Sequence, residues 1–93
     1  TSMRKAKYPT IEPYTVCEVW VDITNHGDGS GTQIVHIWDS VGNVDINITV
    51  TLEPGETYTW HRSQWIDFSR LPSYVVWAQG DWVENNYSRA IFP

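Results

Sequence analysis

The 93-residue chain lacks several features that define common classes of protein. It has a single cysteine, Cys17, so an internal disulfide cannot form, and the apolar strand pattern around this residue predicts a buried structural thiol. No apolar run approaches the roughly 20 residues that a transmembrane helix needs, and no charged-then-apolar leader is present. We therefore expect a soluble domain that does not insert directly into a membrane.

Basic residues are few and unevenly placed. Lysine and arginine together number 6, against 11 acidic residues. No lysine or arginine lies between Lys7 and Arg62. Arg4, Lys5 and Lys7 could form a short basic arm, but the body of the domain has no cluster of positive charge to neutralise phosphates, so nucleic-acid binding is not expected. Residues 1–13, with possible tag residues at 1–2, are interpreted as a lead-in segment or a first edge strand with charged guards, and 14–93 as the domain.

Regular alternation of apolar and polar residues is abundant. In 44–52 five aliphatic residues alternate with polar ones, which is the period of a strand with one buried face. Residues 53–56 contain Pro54 and Gly55 and predict a turn, after which the alternation resumes in 57–60. We therefore predict a central β-hairpin, with its aliphatic side chains in the core. Its outward polar residues are interpreted as ordinary solvated positions: Asp45, Asn47, Thr49 and Thr51.

Four further strands are predicted, at residues 14–25, 32–39, 74–79 and 87–92. The predicted core face of the first consists of Cys17, Val19, Val21 and Ile23. In the strand at 32–39, Val35 and Ile37 are predicted to point inward, although a shift of the register by one residue would bury Trp38 instead.

Two connections are predicted to be irregular. Residues 25–31 contain three glycines and predict a loop. Residues 61–72 are too broken in pattern for a helix, and we predict a crossover loop that packs Ile66, Phe68 and Leu71 over one end of the core.

The number of short strands, the Gly, Pro and Asn turns between them and the absence of a periodic helix together predict the fold class. We expect an all-β fold of about seven strands, a two-sheet antiparallel β-sandwich with immunoglobulin-like Greek-key order. A small barrel is the alternative.

Three segments resemble the CARDB family, the cell-adhesion-related domains of bacterial and archaeal surface proteins: VWVDITNHGDGSGTQIVHIW, VTLEPGETYTW and YVVWAQGDWVENNY. The matching positions are Thr24, Asn25 and Gly27, then Leu52, Pro54, Gly55 and Glu56, then Asp81, Asn85 and Asn86. The match covers roughly residues 14–92. The resemblance implies an extracellular immunoglobulin-like sandwich of seven strands, usually one of several domains in a larger chain, without catalytic residues. The six tryptophans depart from the family's usual composition.

Catalytic and metal-binding patterns are weak. The three histidines form no HxxxH spacing, and no CxxC, G-x-S-x-G or phosphate-binding loop is present, so we do not expect an enzyme. Asp81, Glu84 and Asn86 are weak candidates for calcium ligands, but a turn with Asx-type hydrogen bonds is preferred and no cofactor is expected. Asn47 and Asn86 begin acceptor sequons for glycosylation, which are compatible with a surface protein.

The tryptophans provide the candidate binding residues. In an immunoglobulin-like order the third and penultimate strands are neighbours, so inward Val35, Ile37, Val76 and Ala78 would leave four residues together on the outer face: His36, Trp38, Trp77 and Gln79. Trp20, and Trp82 in the predicted loop after Gly80, are further candidates for exposure. The alternative is that tryptophans fill the core, which is preferred for Trp60 and left open for Trp38 and Trp77.

Three functional hypotheses follow. The first is a non-catalytic spacer or adhesion module of a cell-surface or secreted protein, with neighbouring domains of the parent chain or another surface protein as partners. The second is a carbohydrate-binding accessory domain that holds a polysaccharide on exposed tryptophans. The third is a self-assembling filament or surface-layer subunit.

Overall fold

The computed structural model describes residues 1–80 and 87–93, and within them the chain forms seven strands and no α-helix. The strands are β1 (Ser2–Pro9), β2 (Tyr14–Thr24), β3 (Gly31–Asp39), β4 (Asp45–Leu52), β5 (Thr57–Asp67), β6 (Tyr74–Gly80) and β7 (Tyr87–Phe92). All pairings are antiparallel and form two sheets, with orders β1-β2-β5 and β4-β3-β6-β7. The predicted two-sheet antiparallel β-sandwich is confirmed. In the described ranges no helix is long and apolar enough to cross a membrane.

The core lies between the two sheets and consists of the alternate residues that the period-two pattern predicted. The most buried side chains of β2 and β3, each at most 2% exposed, are Cys17, Val19, Val21, Ile23, Val35 and Ile37. Each fully buried aliphatic side chain contributes about 1.5–3 kcal/mol before entropy is subtracted. Burial also raises the pKa of the Cys17 thiol, which favours its protonated form.

The predicted hairpin of residues 44–60 is wrong. β4 does end in the predicted turn, in which Gly55 has a φ of 82° that favours glycine. However, β5 lies in the other sheet and pairs with β2 along its whole length, from Thr57 opposite Thr24 to Asp67 opposite Tyr14. Alternation and turn residues are local signals, so they define a strand and a bend but not the strand's partner.

The second half of β5 was predicted to be irregular, and this prediction is also wrong. Residues 61–67 continue the strand, but β5 is at the edge of its sheet and most of its side chains are exposed or half-buried. A strand with polar residues on both faces carries no period-two signal. The packing expected of this segment is present, since Ile66 is buried and Phe68 and Leu71 pack against the core.

Asn25 joins the loop after β2 to the turn between β4 and β5. Its backbone N–H donates to the Glu56 carbonyl at 3.1 Å, and its carbonyl accepts from the Gly55 N–H at 2.8 Å. Its side-chain Nδ2 donates to the Leu52 carbonyl at 2.9 Å, at the last residue of β4. The chain is therefore held in place at the point where it crosses from one sheet to the other.

The same side chain organises the glycine-rich loop. Oδ1 of Asn25 accepts from the Gly27 N–H at 2.8 Å, and Nδ2 also donates to the Gly29 carbonyl at 2.9 Å. These are the Asx-type hydrogen bonds by which asparagine stabilises turns. The loop predicted at 25–31 is confirmed for residues 25–30, and Gly31 already begins β3.

A buried carboxylate fixes the opposite end of the sandwich. Asp39, which is 6% exposed, accepts from the Tyr74 hydroxyl at 2.7 Å and from the N–H groups of Asn43 and Val44 at 2.9 and 3.2 Å. Burial, and then the hydrogen bond to Asp39, raise the pKa of the Tyr74 phenol far above its ordinary value, so it remains a donor. These bonds tie the end of β3 to the start of β6 and to the turn before β4.

Replacement of Asn25 tests its role in the sheet crossing. We expect Asn25→Ala to lower the free energy of unfolding by about 1–3 kcal/mol, because carbonyl and N–H groups lose their partners. Asn25→Asp should not restore stability, because a carboxylate cannot donate to the two carbonyls. Urea unfolding followed by tryptophan fluorescence measures both values.

The matched control is Asn43→Ala, at an exposed turn position whose backbone N–H bonds to Asp39. A surface change of this kind should alter the free energy of unfolding by no more than about 0.5 kcal/mol. Equal losses at the two asparagines would contradict the role given to Asn25.

Candidate functional site

The outer face of the four-stranded sheet brings four of the predicted residues together. β3 and β6 are neighbours, as expected, and in their register His36 is opposite Gln79 and Trp38 is opposite Trp77. The residues between them on both strands are buried between the sheets, so these four side chains lie on the outer face.

Three of the aromatic rings form a stack. The His36 and Trp38 ring centroids are 4.5 Å apart with an interplanar angle of 24°, and the Trp38 and Trp77 centroids are 5.7 Å apart at 20°. Separations this short between nearly parallel rings correspond to offset stacking. We call His36, Trp38 and Trp77 the aromatic stack.

The stack determines how much of the two tryptophan side chains is accessible. Both are half-buried, so they belong neither to the core nor to the fully exposed surface. Trp38 is stacked against two other rings, those of His36 and Trp77. A partner of this face would therefore meet a set of rings already packed on one another, with polar groups at its margins.

Charged residues flank the stack on both sides. On β4, Asp45 is opposite Trp38, and its Oδ1 lies 2.6 Å from Nε2 of His36. On β7, the exposed Arg89 is opposite Trp77. Asp45, Trp38, Trp77 and Arg89 thus form one row across all four strands, with an acid at one end and a base at the other.

Asp45 and Arg89 were missed at the sequence level. Asp45 was interpreted as an ordinary solvated residue on the outward face of the predicted hairpin. The available signal was the segment Ser40-Val41-Gly42-Asn43, whose turn residues make β3 and β4 consecutive antiparallel strands and place Asp45 beside Trp38.

Trp20 lies on the opposite outer face of the sandwich, in the middle strand of the three-stranded sheet. Its ring stacks on His61 at 5.0 Å and 26°, and the Arg4 guanidinium carbon lies 5.7 Å from its centroid. It is half-buried and is not part of the aromatic stack. Trp60 is partly buried against the core, in agreement with its predicted role.

The remaining predicted residues, Trp82, Asp81, Glu84 and Asn86, fall outside the described residues. Across 1–80 and 87–93 no group of three or more His, Cys, Asp or Glu side chains is arranged to hold a metal ion. The interpretation of 81–86 as a turn, with calcium ligation as the alternative, stays a prediction.

A charged network lies beside Trp20. Arg4 donates to both carboxylate oxygens of Asp22 at 2.8 and 3.0 Å, and the Thr59 hydroxyl donates to the same carboxylate at 2.7 Å. The hydrogen bond from Arg4, followed by that from Thr59, lowers the pKa of Asp22 below its ordinary value.

The architecture and this face define the chain as a small all-β sandwich with an aromatic outer surface. No protein-family model matches the chain, and a comparison with curated proteins finds no match. Among solved structures it is similar to a protein from Archaeoglobus fulgidus, with 13% identity over 99% of this chain and 90% of that chain and a TM-score of 0.39. It is also similar to the structural genomics target SoR45, with 15% identity over 98% of this chain and 77% of that chain and a TM-score of 0.42. These similarities are too remote to support a functional inference.

Double-mutant analysis tests the stack. We expect Trp38→Ala and Trp77→Ala to be coupled by about 0.5–1.5 kcal/mol in the free energy of unfolding, because either substitution removes the same contact between the two rings. Denaturant unfolding of the single and double variants measures the coupling. The pair Trp20→Ala and Trp77→Ala, on opposite faces, should be additive within about 0.5 kcal/mol. Additivity in both pairs would contradict the stacked arrangement.

The pKa of Asp22 predicts a specific pH dependence. A carboxyl whose pKa is depressed on folding adds stability above its unfolded pKa of about 4, and this stability is lost as the pH falls through the lower folded value. We therefore expect acid to destabilise the native chain more than it destabilises the Asp22→Asn variant. Urea unfolding curves of both proteins, measured from neutral pH downward, give the two free energies of unfolding. Parallel pH profiles for the two proteins would show that the Arg4 contact contributes nothing.

Proposed function

We propose that the chain is a non-catalytic binding module of a larger cell-surface or secreted protein, and that the outer face around the aromatic stack is its contact surface. The observation that carries this proposal is the row of Asp45, Trp38, Trp77 and Arg89 across the sheet. Tryptophan and arginine are the residues most enriched among energetic hot spots of protein interfaces. A half-buried aromatic centre with charged ends has the composition of such a surface.

The preferred partner is another folded protein, either a neighbouring domain of the parent chain or a separate surface protein. Sugar rings usually bind by packing on an open aromatic face, whereas the Trp38 ring is already stacked against His36 and Trp77. Ring edges and flanking charges suit a complementary protein surface that supplies carbonyls, apolar side chains and opposite charges.

The resemblance to CARDB domains supports the same assignment. In an immunoglobulin-like order the third and penultimate strands are adjacent, and β3 and β6 are adjacent here. Two of the segments that carry the resemblance, around Asn25 and around residues 52–56, meet through the hydrogen bonds of Asn25. On this interpretation the module is extracellular, bacterial or archaeal, and works without a cofactor or nucleic acid.

Polysaccharide binding is the second candidate. It is favoured by hydrogen-bonding groups next to the indoles, since Gln79 is opposite His36 and Asp45 contacts His36. Aromatic rings bordered by such groups are common in carbohydrate sites. In this case a sugar would occupy the outer side of Trp77 and not the face shared with Trp38.

The test of the proposed function uses the chain together with the domain next to it in the parent gene. We expect the neighbouring domain to change the amide resonances of β3 and β6, and the Trp38→Ala, Trp77→Ala double variant to weaken that contact about tenfold or more. Trp20→Ala is the matched control, because Trp20 also stacks on a histidine but on the other sheet. A parent gene that encodes neither another domain nor a secretion signal would contradict the proposal.

A polysaccharide panel separates the second candidate from the first. A saturable change in tryptophan fluorescence that the double variant abolishes, and Trp20→Ala does not, would assign the face to carbohydrate. No change across the panel would leave protein contact as the function of this face.

A further inference from the structure

Each sheet of the sandwich has two edge strands. In the described part of the chain these are β1 and β5 in one sheet, and β4 and β7 in the other. An edge strand presents backbone N–H and C=O groups on its free side, which can pair with a strand of another chain. Natural proteins block this pairing with charged side chains, above all lysine, and with charged residues that point inward.

The edges of β1 and β7 are protected in this way. Lys5 and Lys7 of β1 share the inward face, and their amines lie 5.6 Å from the Phe92 ring and 5.5 Å from the Phe68 ring. The Lys5 amine also donates a hydrogen bond to the Ile91 carbonyl of β7. A strand added at this side would have to displace both lysines.

The edge of β5 carries a similar guard. Arg62 is opposite Val19, whose side chain is buried in the core, so the arginine also lies on the inward face of its strand. Its side chain is exposed at the margin of the sheet. An incoming strand would meet this charge in the middle of β5.

β4 is different from the other three edges. From Ile46 to Leu52 it contains no charged residue, proline or glycine, and residues 48–51 are all β-branched. On its inner face Val50 and Leu52 are buried, but Ile46 and Ile48 are only half-buried. An uncharged, β-prone segment at a free edge is the type of strand that pairs with another strand.

We propose that β4 pairs antiparallel with β4 of a second copy, about a two-fold axis at Ile48. In this register Asn47 lies opposite Thr49, and Asp45 lies opposite Thr51. Ile46 and Val50 then form apolar pairs on the inner face, which cover the half-buried isoleucine side chains. The contact is isologous and closed, so it produces a dimer and not a filament.

The neighbouring registers are less favourable. With Thr49 on the axis, Asp45 of each copy would lie opposite Glu53 of the other, and like charges directly opposite are destabilising. With Asn47 on the axis, fewer residues of β4 find a partner within the strand. Only the register centred on Ile48 pairs residues 45–51 throughout without opposing charges.

This dimer uses the edge of the sheet and leaves the aromatic stack free. The two four-stranded sheets join into one of eight strands, and both stacks lie on the same outer face because side-chain alternation continues across the new pair. The inference therefore does not depend on the proposed function, and the two can fail separately.

Sedimentation equilibrium over a range of concentrations tests the dimer. We expect the native chain to dimerise, and Asn47→Lys combined with Thr49→Lys to raise the dissociation constant about tenfold or more, because each lysine faces a lysine of the partner. The matched control is Tyr87→Lys with Ile91→Lys, two exposed residues on β7 of the same sheet. Both double variants reduce the net charge of −5 by the same amount. A general charge effect would therefore act equally on both.

Cysteine trapping tests the register and does not depend on the lysine variants. Residues opposite each other in an antiparallel pair have Cα atoms about 4.5–5.5 Å apart, which allows a disulfide. A mixture of the Asn47→Cys and Thr49→Cys proteins should therefore form covalent dimers on mild oxidation, whereas neither protein alone should do so. The native Cys17 is buried and does not interfere.

Several results would overturn the proposal. These are a native chain that is monomeric at every concentration, equal loss of the dimer in the β4 and β7 lysine variants, and loss of the dimer in Trp38→Ala with Trp77→Ala. Covalent dimers from either cysteine protein alone would place the axis at Asn47 or Thr49 and would refute the register. Covalent dimers from the mixture alone, with loss of association only in the β4 lysine variant, would support it.

Discussion

The hydrogen bonds of Asn25 determine on which sheet the chain continues after β4. They hold the last residue of β4 and the turn at residues 53–56 against the loop that follows β2. Because β5 begins beside the end of β2, it pairs with β2 and not with β4. Two consequences follow for the four-stranded sheet: β3 pairs with β6 on the side away from β4, and β4 is left at the edge.

The pairing of β3 with β6 creates the aromatic surface, and its register is set at the other end of the sandwich. There the Tyr74 hydroxyl donates to Asp39, and Ser40 exchanges two hydrogen bonds with Val75 through its backbone N–H and its hydroxyl. A slip of one residue would turn the outer residues of β3 into the core and would break these bonds. The buried carboxylate follows Trp38 directly in the chain and lies on the inner face of β3, and its bonds fix which residues compose the stack on the outer face.

The sequence predicts well whatever depends on residues close together in the chain. The inward faces of β2, β3 and β6 follow from alternation, and the outward grouping of His36, Trp38, Trp77 and Gln79 follows from it once β3 and β6 are taken as neighbours. Pairings between distant segments are harder, because a turn such as residues 53–56 serves equally well inside a hairpin and between two sheets.

Other parts of the structure were not predictable for related reasons. β5 lacks alternation because its outer and inner faces are both largely accessible at the edge of the sheet. Arg89 has no distinctive sequence context, and its place beside Trp77 arises only from the register of β7, whereas the turn at residues 40–43 was a signal that could have placed Asp45 beside Trp38. The unguarded edge of β4 becomes visible only when the strand order shows that β5 does not cover it.

The most direct test of this account is the pattern of cross-strand nuclear Overhauser effects in the native protein. A chain that crosses between the sheets at Asn25 gives contacts between the backbones of Val21 and Trp60, which join β2 to β5, and between Ile37 and Ala78, which join β3 to β6. Cross-strand contacts between residues 57–60 and residues 48–52 would instead show that β4 and β5 form a hairpin. That result would contradict the sheet crossing at Asn25 and, with it, the origin of both the aromatic face and the free edge.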